Sequence, residues 1–293
     1  MNKLLIIMVS ILLTSCSEEL PNVEDLFGDI NRLDVITWNI ENFPKEDQTI
    51  NYVSRIINDM NVDIIALQEI ENQQAFNSLI NQLSEGWIGY RASLDNDSYG
   101  KLSYIININH LEIIAAPYII LDGDEHEHYF AYRPPYVVHV NFNEEEYIII
   151  NVHFKCCGDG NLEDDYWDEE FRRLKANEYL KAYIDENFND QNVIVLGDFN
   201  DDIAEDSDNN VFMNFINDSE NYYFSDMHIA EGPSSDWSFP NYPSHLDHIL
   251  ISNELLHPDL DIQTLKLEYY ISGGWGTYDS DISDHRPVWI SLP

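Results

Sequence analysis

Ser283-Asp284-His285-Arg286-Pro287-Val288 lies near the carboxyl end of a chain of 293 residues. A Gly-rich loop (Gly273, Gly274, Gly276) precedes it, and the apolar run Val288-Trp289-Ile290 that follows reads as a last strand. A carboxylate and an imidazole side by side at a loop-to-strand junction can serve one reaction centre. Asp284 offers hard oxygen to a divalent cation, and His285 offers a base that titrates near neutrality. A solvated loop can carry the same pair. Its weight comes from further polar clusters that stand at the ends of apolar strands elsewhere in the chain.

Residues 33–38 form the first predicted strand, which ends in Asn39-Ile40-Glu41-Asn42. Ile50, Val53, Ile56 and Ile57 recur at helical spacing. Residues 63–68 are a buried strand that Glu69 follows directly. Phe76, Leu79, Ile80 and Leu83 mark a second helix. Strands are expected over 102–108 and 113–120. Arg133-Pro134-Pro135 introduces a strand at 136–142, and the polar turn 143–146 returns it as a second strand, 147–154, so the two form a hairpin. His153 sits near the end of that second strand. Its poor alternation means that both faces are covered. An acidic insertion, 158–170, leads into a third helix marked by Phe171, Leu174, Tyr183 and Ile184. Residues 193–196 are a buried strand running into Gly197-Asp198-Phe199-Asn200, where a period of two points Asp198 and Asn200 the same way. A short helix at 211–216, a Pro-rich aromatic loop at 237–244 and a strand at 246–251 with Asp247 at its start complete the order. Hairpins mixed with helical crossovers predict packed sheets with helices outside.

Composition bounds the class. Aromatic residues are 13% of the chain, ample for a core. Lys+Arg is 14 against Asp+Glu 54, a formal charge of −40. Such a balance argues against a broad basic nucleic-acid face, because phosphate contacts rely on Lys and Arg. A polyanionic substrate would need a local cationic site or a metal. The charge also has a simple reading as a solubility device.

Lys3 followed by a short apolar stretch is a targeting segment, too short to span a bilayer. Leu13-Thr14-Ser15-Cys16 resembles a bacterial lipoprotein signal, so residues 1–15 are expected to be removed and Cys16 acylated. The protein is then exported and held on a membrane through lipid at Cys16. Residues 16–31, polar and acidic, read as a tether, and 32–293 as one domain. Cys156 and Cys157 are adjacent, and they form either a vicinal disulfide or two free, partly buried thiols.

The polar residues at strand ends are Asn39, Glu41, Glu69, His153, Asp198, Asn200, Asp247, Asp284 and His285. The set lacks cysteine, which argues against zinc–thiolate, and suits oxygen-ligated Mg²⁺ with an open side for phosphate. Together, Trp38-Asn39-Ile40-Glu41-Asn42, Leu67-Gln68-Glu69, Asn151-Val152-His153, Gly197-Asp198-Phe199-Asn200, Leu246-Asp247-His248-Ile249 and the opening hexapeptide resemble the endonuclease/exonuclease/phosphatase superfamily in its deoxyribonuclease I-like branch. The motifs run in the family's order.

The resemblance implies an α/β four-layer αββα sandwich, two packed mixed β-sheets flanked by helices, and metal-dependent hydrolysis of a phosphate ester. It implies Glu69 as principal metal ligand with Asn39, Asp284 and Glu41. Mg²⁺ is the expected ion, with Mn²⁺ or Ca²⁺ as substitutes. Asp198 and Asn200 would orient water and phosphate, and His285 would be the base, held by Asp247. His153 would be the acid or an oxyanion donor, and Arg133 a phosphate contact. One departure is Lys101, where an acid to orient His153 is expected. The expected activity is that of an exported, monomeric endonuclease acting on nucleic acid, with Arg133, Lys155, Arg172 and Arg173 as a local basic strip. The alternatives are a phospholipid head-group phosphodiesterase, an inositol-phosphate or other phosphate-ester phosphatase, and a binding module that kept the fold.

Overall fold

A computed structural model describes residues 28–93 and 99–293. The expected signal segment, Cys16 and most of the expected tether lie outside the described residues. The chain engages the domain from Asp29, whose N–H donates to Asp34 Oδ2 at 2.7 Å.

The described elements are β1 (Leu33–Phe43), α1 (Thr49–Asp59), β2 (Ile64–Ile70), α2 (Gln73–Ile80), β3 (Trp87–Arg91), β4 (Ser103–Asn107), β5 (Glu112–Ile119), α3 (Asp124–Glu127), β6 (Tyr136–Phe142), β7 (Glu145–His153), α4 (Glu169–Asn187), β8 (Asn192–Asp198), α5 (Met213–Ile216), β9 (Tyr222–Phe224), α6 (Met227–Ala230), β10 (Asp247–Ser252), β11 (Asp261–Thr264), α7 (Trp275–Asp281) and β12 (Val288–Leu292). They build two six-stranded sheets, ordered β11-β12-β1-β2-β4-β3 and β5-β6-β7-β8-β10-β9. Only β1–β2 and β7–β8 pair in parallel, so both sheets are mixed, and each parallel pair is joined through a helix. This is the expected four-layer sandwich.

The layers follow from strand alternation. Leu33, Val35, Ile64 and Ala66 face Ile149, Ile194 and Ile249 of the other sheet. Ile36, Trp38, Ile65 and Leu67 face outward, under Val53, Ile56 and Ile57 of α1 and Phe76 and Leu79 of α2. On the far side Ile148, Ile150, Val193 and Val195 pack beneath Ala176, Leu180 and Ile184 of α4. Strands covered on both faces must be apolar throughout, which is why β1, β2, β7 and β8 were readable as continuous runs. Asp168 caps α4, accepting from the Phe171 N–H at 2.8 Å.

Three edge or near-edge strands, β3, β9 and β11, have no counterpart in the sequence reading. They are short, and Gly89 breaks the apolar pattern of the first of them. The loop before Ser283 is partly helical: α7 starts after Gly274, which takes φ +61°. Gly, Thr, Ser and Asp in α7 are weak helix formers, and the helix is held instead by the buried Tyr278, whose hydroxyl donates to the His285 carbonyl at 2.8 Å.

Candidate active site

Strand register builds one wall of the site. His153 of β7 lies beside Asp198 of β8 in the parallel pair, and Asp247 of β10 lies opposite Asp198 in the antiparallel pair. Partnered residues share a sheet face, so His153, Asp198 and Asp247 form one buried row. His153 Nε2 stands 3.5 Å from Asp198 Oδ2 and 3.9 Å from Glu69 Oε1.

The facing wall comes from the first sheet. Asn39 and Gln68 are register partners of the parallel β1 and β2, so Asn39 and Glu69 end side by side. Asn39 Nδ2 donates to Asp198 Oδ2 at 2.8 Å and to Glu69 Oε1 at 3.2 Å. Glu69 does not follow its strand, as the sequence suggested, but lies inside β2 at φ +63°. Glu41 (φ +36°) and Asn42 (φ +53°) break the register of β1 in the same way. Such backbone is costly for residues with a Cβ and concentrates at functional sites. Here it turns the Asn42 N–H onto Glu69 Oε2 at 2.9 Å.

The hexapeptide before β12 closes the cleft. Ser283 Oγ donates to the Asn39 carbonyl at 2.7 Å and accepts the His285 N–H at 2.9 Å. Asp284 N–H donates to Glu41 Oε2 at 3.0 Å. His285 Nδ1 lies 2.7 Å from Asp247 Oδ2, which leaves Nε2 toward Asp284 Oδ1, 3.9 Å away.

Charge sets the protonation states. Burial would lower the His285 pKa, but the Asp247 carboxylate and then Asp198 and Asp284 push it up to about 10. Burial, followed by the positive charges of Arg133 and His285, holds His153 well below the usual imidazole range. Burial lifts Asp198 to about 7 against the pull of His285, with Asp247 and Glu69 adding to the rise. The carboxylates around His285 thus favour its imidazolium, and burial with Arg133 favours the neutral ring of His153.

The donor chemistry of Glu69, Glu41 and Asp284 fits a hard divalent cation. All are carboxylates, and burial raises the Glu41 pKa, with Asp284 adding to the rise while Lys45, hydrogen-bonded to Glu41, lowers it. A cation among them would relieve that repulsion. Asn39, expected as an oxygen ligand, presents its amide nitrogen to the carboxylates, while its Oδ1 accepts the Glu41 N–H at 3.0 Å. As placed, it orients Glu69 and Asp198.

Glu69, Glu41 and Asp284 are not drawn within 4.8 Å of one another; among the described residues, the acidic or histidine groups of three that are comprise Asp226, His245 and His248, and Asp168, Glu169 and Glu170. The first is a satisfied structural network. His248 Nδ1 stands 2.6 Å from Asp226 Oδ2 and Nε2 2.9 Å from the Asp201 carbonyl. A carbonyl only accepts, so Nε2 carries hydrogen, and Asp226, whose pKa is lowered despite burial, accepts a second from Nδ1, which favours the imidazolium of His248. Its pKa is raised: burial opposes the charge, and Asp226 outweighs burial. His245 Nε2 adds a third contact to Asp226, at 2.9 Å.

Arg133 is buried, with Nε on the His153 carbonyl at 3.2 Å and Nη2 on the Phe154 carbonyl at 2.6 Å. The expected basic strip is not on the surface. Arg172 donates to the His128 carbonyl. Arg173 pairs with Asp201 and Glu170, and Lys155 pairs with Glu169. Arg133, Arg172 and Arg173 are buried on carbonyls and carboxylates, while Lys155 stays half-buried. Asn200 does not continue β8. It takes φ +55° after the strand ends at Asp198, and its N–H folds back to Asp198 Oδ1 at 2.9 Å. In place of the acid sought near Lys101, the backbone of Gly100 faces His153: a Cβ there would meet His153 Nδ1 at 3.2 Å. Cys156 and Cys157 are free thiols.

Sequence reasoning missed Tyr99, whose hydroxyl donates to Glu69 Oε2 at 3.0 Å, and Phe239, whose ring centroid is 4.8 Å from that of His285. Both sit on irregular loops where no periodicity marks them. Ser283 was in the opening motif, and its position next to Asp284 was the available signal.

A model of the Endonuclease/Exonuclease/phosphatase family matches residues 36–285. No curated protein matches the chain. Among solved structures, D. rerio TDP2 complexed with single strand DNA product gives a TM-score of 0.64 at 14% identity, over 89% of this chain and 99% of that one. The human nocturnin catalytic domain with bound sulfate anion gives 0.61 at 16% identity, over 90% and 93%. The mannosyl-6-phosphatase of Bacteroides thetaiotaomicron gives 0.59 at 16% identity, over 89% and 99%. At these identities the likeness is one of fold.

Proposed function

The chain belongs to the endonuclease/exonuclease/phosphatase family and is a phosphoesterase, and from that premise we propose that it hydrolyses small phosphate esters with the help of a divalent cation. The supporting observation is the convergence of His153, Asp198, Asp247 and His285 with Asn39 and Glu69 in one cleft, joined by the Asn39–Asp198 hydrogen bond of 2.8 Å. The substrate reading rests on Arg133, Arg172 and Arg173, which are engaged inside the protein. A duplex backbone would then meet few free cations on a chain of formal charge −40. This moves the balance away from the endonuclease expected from the sequence and toward its phosphate-ester alternative.

In this proposal Glu69, Asp284 and Glu41 hold Mg²⁺, which would polarise a phosphoryl oxygen and offset charge that develops in the transition state. Asp198 and Asn200 orient water and phosphate. His285 exchanges a proton at Nε2, since Asp247 engages Nδ1 and fixes the ring. His153 presents Nε2 on the Asp198 side, and Arg133 holds the end of its strand through two carbonyls. Groups held in place in advance need little reorganisation as charge develops. We further propose that the protein is exported as a monomer and held on a bacterial membrane by lipid at Cys16.

A substrate panel tests the reading. Sugar phosphates, inositol phosphates, sphingomyelin, RNA and plasmid DNA are each incubated with Mg²⁺ and with chelator. Metal-dependent phosphate release from the small esters, with plasmid left intact, is expected. Plasmid nicking faster than small-ester hydrolysis would restore the endonuclease.

A further inference from the structure

We propose that Cys156 and Cys157 form a vicinal dithiol–disulfide couple, a modification site built on the strap that leaves the catalytic strand β7. The two Sγ atoms stand 3.0 Å apart. Cys157 takes φ +70°, Gly158 φ +115° and Gly160 φ +77°, so the strap follows a path that most side chains resist. Buried groups hold that path. Arg173 Nη1 donates to the carbonyls of Lys155 and Cys157 at 2.7 and 2.8 Å. The Gly160 N–H donates to Glu170 Oε1 at 2.7 Å. Arg173 and Glu170 are themselves buried and paired. The exposed Cys157 is thus presented by a fixed scaffold.

The geometry also orders the two thiols. Cys157 donates its S–H toward Cys156, and the Lys155 ammonium lies 3.9 Å from Cys156 Sγ. That S–H contact leaves Cys156 as the accepting sulfur and the attacking one. With a low-molecular-weight disulfide as oxidant, the Cys156 thiolate attacks one of its sulfurs. A mixed disulfide forms and one thiolate leaves. Cys157 then gives its proton to solvent and attacks the Cys156 sulfur, closing the ring and releasing the second thiolate. The pair loses two electrons and the oxidant is reduced to two thiols.

The ring is strained. Neighbouring Cα atoms stand about 3.8 Å apart across a trans peptide, shorter than the roughly 4.4–6.8 Å that disulfides prefer. Strained, exposed disulfides are the labile ones, so this couple responds to redox conditions. Its effect reaches the cleft through Phe154, whose carbonyl accepts from both Arg133 Nη2 (2.6 Å) and Asn200 Nδ2 (3.3 Å). Closing the ring draws the backbone at 155–157 away from the path that Arg173 holds, and shifts that carbonyl.

The test uses the full chain, equilibrated in reducing and in oxidising glutathione buffers, then alkylated, digested and weighed. The peptide with both cysteines should carry two alkyl groups from the reducing buffer. From the oxidising buffer it should carry none and be lighter by two hydrogen atoms. Cys157→Ser should stop at a glutathione adduct on Cys156. Hydrolysis of a phosphate ester, followed in parallel, should fall several-fold on oxidation, and the Cys156→Ser/Cys157→Ser double variant should run at one rate in both buffers. Two alkyl groups throughout, or chains cross-linked through this peptide, would overturn the couple. Ring formation with an unchanged rate would overturn its link to the cleft. The mass readout stands whether or not the proposed substrate class is right.

Discussion

Asn39 and Asp198 join the two sheets at the site: the amide of Asn39, at the end of the regular part of β1, donates to the buried carboxylate that ends β8, at 2.8 Å. The same amide donates to Glu69, so one side chain sets the spacing of two acids from different sheets.

Asn39→Ala removes both donors and leaves Asp198 buried with less compensation. We expect a stability loss of roughly 1–3 kcal/mol, read from the denaturant midpoint, together with a fall in phosphate-ester hydrolysis per folded molecule. A variant with native midpoint and native rate would mean that the bridge positions nothing.

Asp247→Asn keeps the shape beside His285 Nδ1 and removes its charge. The rate should fall on the order of 10²–10⁴-fold, as for other acid–base positions, and His285→Ala should fall in the same range. Combining the two should cost far less than the product, because they act as one unit. Full multiplicativity in steady-state rates would argue that the two residues act separately.

His153→Ala distinguishes catalysis from packing. In the proposed role it loses rate by a similar factor while most of the melting temperature is kept. A core histidine would give the reverse: a lower melting temperature and a near-native rate per folded molecule. Both quantities are measured on one preparation.

Asp226→Asn tests the buried network and has a defined pH signature. His245 and His248 hold the Asp226 pKa below the usual carboxylate range against burial, so its contribution exists above the unfolded value of about 4 and is lost as pH falls through the lower folded value. The His248 pKa is raised, so its contribution is complete below about 6.5 and is lost as pH rises through the higher folded value. The stability difference between wild type and variant should therefore be largest between about pH 4 and 6.5. Breaking a buried pair costs roughly 3–5 kcal/mol. A difference that does not vary with pH would show that the network is uncharged.

The core of this fold was legible because it is covered on both faces. Strands such as β7 and β8 must be continuously apolar, and the polar residue that ends each run, His153 or Asp198, then stands out. Glu69 was found for the same reason, although its place within β2 was not, since positive φ on a Glu leaves no mark in sequence. Edge strands such as β9 and β11 carry too few buried residues to show a period. The roles given to Arg172 and Arg173 failed for a different reason. A lone cation in an acidic chain looks like a surface contact, while burial and carbonyl partners are set by tertiary packing.

Glu69→Gln tests the central claim most directly. It preserves shape and removes one charge from the cation-binding carboxylates. Hydrolysis of a small phosphate ester by wild type and variant is measured across a Mg²⁺ titration at equal folded concentration. The account predicts a wild-type rate that rises with Mg²⁺ and vanishes in chelator, and a variant that is slower by orders of magnitude and needs more Mg²⁺ for half-activation. A variant with wild-type rate and wild-type Mg²⁺ dependence would contradict it.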